Sequence, residues 1–141
     1  MADFTLQIKE RVLLEGTERG TNYNVTISDI GYFDNRILNA PSGSEVTIFS
    51  LSDINGAGMF VTSSLKYARV TNHSTSVPIN LRVSSSKSNM SYSVGTEGSF
   101  MLSTSEITGS AVNAFSYDNI YSVTAEPSGS SAKIEYFIAT T

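Results

Sequence analysis

His73 is the only histidine in the chain, and imidazole is the side chain best placed to move a proton near neutral pH. Catalysis would need a base partner or nucleophile beside it, and a metal would need further nitrogen or sulfur ligands. The loop that carries it, Asn72-His73-Ser74-Thr75-Ser76-Val77-Pro78, holds no second catalytic partner. Cysteine is absent, which removes thiolate nucleophiles, Cys-based zinc sites and disulfides. The residues therefore predict a surface histidine, with no catalytic, cofactor-binding or metal-ligating set and no cofactor.

The acidic residues carry no clearer signal. Asp29, Asp34 and Asp53 fall in loop-like segments where carboxylates could bind calcium, but none sits in an EF-hand pattern. Aspartate is also common in turns because its side chain accepts local backbone hydrogen bonds. A glycosidase needs two facing acids, and Glu97, Glu106, Glu126 and Glu135 show no pairing in sequence. Tryptophan, the usual sugar-stacking residue, is missing, and Tyr92, Tyr121 and Tyr136 have strand-like spacing. Gly56-Ala57-Gly58 lacks the Lys-Ser or Lys-Thr of a phosphate loop. Asn24, Asn72 and Asn89 match a glycosylation sequon, which matters only in a secretory pathway.

What remains is architecture. The 141 residues suit one domain, 1–141, large enough to fold without a staple. Charged residues make up 16%, below the ~25% usual in soluble domains. The net charge of −4 and scattered basic residues argue against nucleic-acid binding. No apolar run approaches the ~20 residues of a membrane helix, and the start Met1-Ala2-Asp3-Phe4 has no signal-peptide character. These features predict a protein made in a cytosol, with no membrane partner.

Alternation of apolar and polar residues marks the strands. The best-marked stretch is Leu65–Val83, two strand-like runs around the His73 loop, with Ile79, Leu81 and Val83 on one face. Phe4-Leu6-Ile8 and Tyr23-Val25-Ile27 predict a hairpin, with Val12-Leu13-Leu14 continuing the first strand and Gly16–Gly20 as its turn. Residues 29–39 read as a loop or bulged strand, Pro41–Ser44 as a turn, and Glu45–Leu51 as a strong strand. Asp53–Gly58 reads as a loop and Ser84–Asn89 as a polar turn. Met90–Val94 and Ser99–Leu102 flank a turn at Gly95–Gly98. Ala111–Phe115 is the best place for a helical turn. Ile120–Ala125 and Lys133–Ala139 predict a closing hairpin. Turn signals every ~8–12 residues predict an all-β antiparallel sandwich of roughly eight to ten strands, jelly-roll-like and with little helix.

The order of these features resembles small all-β virion proteins of tailed bacteriophages, especially those of marine and cyanobacterial hosts. The resemblance rests on Phe4–Glu10, on Asp34–Leu38, on Lys66–Asn72 followed by Ile79-Asn80-Leu81, and on Gly98–Leu102 with the closing Ile134–Thr141. It spans almost the whole chain. It implies a non-enzymatic structural subunit located in the virion, nearest to capsid decoration or cement proteins. Tail, adaptor and head-fibre subunits belong to the same class, and the resemblance carries over no catalytic residues. The implied partners are the major capsid protein or other virion subunits. A carbohydrate-binding β-sandwich is the alternative, and an esterase or glycosidase ranks last.

Two further expectations follow from the pattern. The core is predicted from Phe4, Leu6, Ile8, Tyr23, Val25, Ile27, Val46, Ile48, Leu81, Val83, Val94, Phe100, Leu102, Ile134 and Tyr136. Self-association, as a homo-oligomer or with a multi-subunit partner, is predicted from exposed apolar groups. These are Val12-Leu13-Leu14, apolar on both faces, and Phe137, on a closing strand expected at a sheet edge.

Overall fold

A computed structural model describes residues 2–51, 59–60, 65–85, 89–103, 108–111 and 114–141. These residues contain no helix, and so none long and apolar enough to cross a membrane. The chain is all-β, as its alternation predicts. An arm comes first: β1 (Ala2–Lys9), β2 (Val12–Leu14), β3 (Thr17–Arg19) and β4 (Asn22–Ile30). Then come β5 (Tyr32–Ala40), β6 (Val46–Leu51), β7 (Met59–Phe60), β8 (Leu65–Asn72) and β9 (Ile79–Ser85). The chain continues through β10 (Asn89–Val94), β11 (Ser99–Ser103), β12 (Thr108–Ala111), β13 (Ala114–Pro127) and β14 (Ala132–Thr140).

Two antiparallel sheets form the sandwich. One has the order β10-β9-β13-β6, extended by the short parallel β7 and by β12 on β13; the other has the order β11-β8-β14-β5. Among the eight principal strands, successive strands cross from sheet to sheet, and only β9 and β10 are sequential neighbours in one sheet. This wrapping is that of a jelly roll. The inner faces supply one core, with Ile48, Leu81, Val83 and Val123 from the first sheet and Val70, Ile134, Tyr136 and Ile138 from the second.

The crossing pattern corrects two expectations. β13 and β14 do not form a closing hairpin, since β13 pairs with β9 and β6 while β14 pairs with β5 and β8. β14 is thus interior, not an edge strand. The turn at Gly95–Gly98 lies where predicted, and it links the two sheets, because β10 pairs with β9 and β11 with β8. Alternation tells which face of a strand is buried, but the same inward pattern serves either sheet.

The arm is a long antiparallel hairpin over residues 2–30. Thr17–Arg19 is a strand, not part of the predicted turn, and the chain reverses at Glu15-Gly16, both in the left-handed region (φ 50° and 79°). Glu10 N–H donates to the Thr21 carbonyl at 2.9 Å where the arm changes from β1–β4 to β2–β3 pairing. Gly20 belongs to this elbow, since a Cβ there would overlap the Glu10 carbonyl oxygen. Residues 29–39 are two strands joined at Gly31, not a loop. Gly31 is held by its N–H to the Thr140 carbonyl (2.9 Å), and a Cβ there would stand 2.8 Å from the Thr141 carbonyl carbon.

The arm's root covers the outer face of the β11-β8-β14-β5 sheet. Phe4, Leu6, Val25, Ile27 and Ile30 pack on Tyr67, Phe137 and Ala139 in a second apolar cluster. The Phe4 ring lies 4.7 Å from Tyr67 and 5.4 Å from Phe137. Phe137 therefore does not point to solvent as expected; its face is covered within the chain. Tyr23, predicted in the core, is 54% exposed because it lies past the packed root. At the predicted helical turn, Ala111 ends β12 and Ala114 opens β13, paired to each other. Ser84 and Ser85 of the predicted turn Ser84–Asn89 end β9 and Asn89 opens β10, while 86–88, 112–113 and the predicted loop 53–58 lie outside the described residues.

Candidate functional site

Cross-strand register brings His73 to groups far away in sequence. β14 runs antiparallel to β8, with Glu135 opposite Thr71, so Glu135 stands on the outer face near the strand end that leads to His73. His73 Nε2 lies 2.8 Å from Glu135 Oε2, and Arg69 Nη2 donates to Glu135 Oε1 at 2.6 Å. Arg69 Nη1 also donates to Thr71 Oγ1 at 2.7 Å, and Thr71 Oγ1 lies 2.8 Å from Ser99 Oγ. The His73 hydrogen bond first, and Arg69 next, hold the Glu135 carboxyl below its ordinary range.

This chain of contacts supplies a partner for His73 that sequence spacing did not show. Its order is nevertheless wrong for nucleophilic catalysis, where serine must contact the histidine base. Ser99 bonds to Thr71, and Glu135 divides its two oxygens between an imidazole and a guanidinium. The arrangement is an ion-paired strip across three strands.

The other candidates separate in space. Asp34 accepts a hydrogen bond from the Tyr136 hydroxyl (2.7 Å) and pairs with Arg36 (2.8 Å). Burial, followed by Asp34, pushes the Tyr136 hydroxyl above its ordinary value, so it remains a donor. Asp29 is exposed, in the left-handed region at the junction of arm and sandwich (φ 63°), and Asp53 lies outside the described residues. Among the described residues, no group of three or more His, Asp or Glu is placed to hold a metal ion. Glu126 and Glu135 project from the outer faces of opposite sheets, so they cannot share a cleft. Glu97 lies in the turn before β11 (φ 56°), and the side chain of Glu106 and Gly56–Gly58 lie outside the described residues.

Asn72, one of the three sequons, is fully buried. Its Nδ2 donates to the carbonyls of Val77 (2.8 Å) and Gly95 (3.0 Å), and its Oδ1 accepts from Ser74 N–H (3.0 Å). Its work is to fasten the His73 loop to the turn before β11. No sequence signal separated this role from a sequon, although a polar residue ending a strand before a Ser-rich loop is a common place for such a fastening.

The most distinctive exposed feature is the arm's distal half. Every residue from Lys9 to Asn24 is exposed, a contour of roughly 20 Å from Lys9 to the Glu15 turn. Val12, Leu13 and Leu14 are 57%, 67% and 58% exposed, on both faces of the ribbon. Around them the charges balance, and Arg11 pairs with Glu18 at 2.8 Å. A concave surface at the elbow is lined by Lys9, Glu10, Glu18, Gly20, Thr21 and Asn22. Its lining is polar, unlike the mostly apolar walls of a small-molecule pocket. Compared with known proteins, the chain matches no family model, no curated protein and no solved structure.

Proposed function

We propose that this protein is a non-enzymatic assembly subunit, a capsid decoration or cement protein of a tailed bacteriophage. It binds the shell with its arm and stabilises it. The observation that carries this reading is the arm itself: a hairpin rooted in an apolar cluster, presenting Val12, Leu13 and Leu14 to solvent. Three adjacent exposed aliphatic side chains on a projecting ribbon fit a groove or sheet edge of a partner. The jelly-roll core gives the arm a rigid base, and low charge density limits repulsion among many copies on one shell. The bacteriophage setting comes from the sequence resemblance, and the major capsid protein is the partner it implies. Assembly in the host cytoplasm and residence in the virion follow from that partner, as does self-association on a symmetric lattice.

Tail, adaptor or head-fibre placement would use the same arm against another virion subunit. A carbohydrate-binding module is the second reading, favoured by the exposed aromatic rings of Tyr23, Tyr32 and Tyr92. The test is to remove the gene from the phage that encodes it. The expected result is particles that assemble without the chain and burst at lower temperature. Unchanged particle stability together with selective glycan-array binding would replace the proposal with the second reading.

A further inference from the structure

β5 is an outer strand of its sheet, paired with β14 on one side and with no described strand on the other. Its register with β14 is unbroken from Tyr32 to Ala40, and it contains no bulge, proline or lysine. Those are common devices by which a sheet edge is closed to other chains. Tyr32, Phe33 and Ile37 are 57%, 69% and 61% exposed. Inward-pointing charge is another such device, but the two charges on the inward side, Asp34 and Arg36, have opposite sign and pair at 2.8 Å.

The order of these residues is self-complementary about Asn35. Let two copies of β5 run antiparallel with Asn35 facing itself. Asp34 then stands opposite Arg36 of the second copy, and Arg36 opposite Asp34, all on one face. On the other face Phe33 meets Ile37 of the second copy, beside the aromatic row that links Phe33 to Phe137 (6.3 Å) and Phe137 to Phe4. One residue further out, Tyr32 meets Leu38. Opposite charges and apolar pairs directly across antiparallel strands are favourable, and like charges are not. Centring the seam on Arg36 puts that guanidinium against itself, and centring it on Asp34 does the same to the carboxylate. An intermediate register sets Asp34 against Ile37. Only the Asn35-centred pairing matches the three flanking pairs.

We infer that the protein forms an isologous dimer through β5, centred on Asn35, which joins two four-stranded outer sheets into one of eight strands. A two-fold axis through the seam makes the contact closed and self-limiting. The dimer gives the self-association in the proposed function a specific surface, but it rests on β5 alone and not on the arm.

The chain has no cysteine, so one introduced thiol reports the register. In the full-length protein, Asn35→Cys places two thiols across the axis with Cα atoms about 5 Å apart, within disulfide reach. Asn39→Cys separates them by about 27 Å along the seam. Mild oxidation is expected to give a covalent dimer for Asn35→Cys and none for Asn39→Cys. No dimer at position 35, or equal dimer at both positions, overturns the inference.

Charge exchange is the second arm of the test. Arg36→Asp and Asp34→Arg each set like charges across the seam and are expected to weaken association at least tenfold in sedimentation. Mixing the two variants restores opposite charges in every cross-seam pair, so a heterodimer is expected; its absence between two folded variants overturns the inference. A monomer that still binds phage particles would overturn the dimer alone. A dimer that ignores particles would overturn the shell-binding reading alone.

Discussion

The Asn72 carboxamide donates to the Val77 carbonyl at 2.8 Å from a side chain with no solvent exposure, and so closes the His73 loop from within. The same Nδ2 reaches Gly95, and Asn72 N–H donates to the Gly98 carbonyl at 2.9 Å. Asn72 thus ties loop to turn, beside the Glu97 N–H that donates to the Ser74 carbonyl at 3.1 Å. Asn72→Ala removes the partner of the buried Val77 carbonyl and of the partly buried Gly95 carbonyl and Ser74 N–H, at about 1–3 kcal/mol for each group that water cannot reach. The expected loss is about 2–4 kcal/mol in urea unfolding. A loss under about 0.5 kcal/mol would show that the loop is fastened elsewhere.

Leu81 and Tyr23 test the packing assignment as a pair. Leu81 is fully buried between the sheets, and Tyr23 is 54% exposed on the arm. Leu81→Ala should cost ~2–5 kcal/mol, and Tyr23→Ala under ~0.5 kcal/mol. Equal losses would contradict the division into a packed root and a free distal arm.

Phe137 anchors the root of the arm. Its ring touches Phe4 and lies 5.8 Å from Tyr67. Phe137→Ala should release β1 and β4 while the sandwich stays folded. Hydrogen exchange should then accelerate at Phe4–Ile8 and Tyr23–Ile27, with β9 and β13 still protected. Uniform acceleration would mean that arm and sandwich unfold as one unit.

Glu135 makes stability depend on pH with a definite sign. Its folded-state value is depressed by His73 and Arg69, so its contribution is present above the ordinary value of 4.5 and is lost as pH falls through the folded value. Its surroundings are partly exposed, so solvent screening holds the effect to about 1 kcal/mol or less. The Tm difference between the wild type and Glu135→Gln should be positive at neutral pH and shrink below about pH 4.5. A difference that grew on acidification would contradict the ion-paired strip.

Particular residues show how far the sequence could be read. Ile79, Leu81 and Val83 alternate, and all three are buried, because a half-buried strand needs a period of two. The same alternation in β13 and β14 could not reveal that they belong to different sheets, since sheet assignment depends on long-range wrapping. It also misplaced Tyr23, whose spacing equals that of Ile27 while its position past the root leaves it uncovered. His73 and Glu135 are 62 residues apart, and only the β8–β14 register brings them together. The exposed run Val12-Leu13-Leu14 was legible because three consecutive apolar residues cannot all face inward on one strand.

The most direct measurement mixes the purified full-length chain with particles assembled without it, then sediments the particles. The wild type should co-sediment at saturating, symmetry-related stoichiometry. A variant with Val12, Leu13 and Leu14 all changed to Ser, folded by circular dichroism, should stay in the supernatant. Absence of the wild type from the pellet, or equal retention of wild type and variant, would contradict the claim that this arm binds the shell.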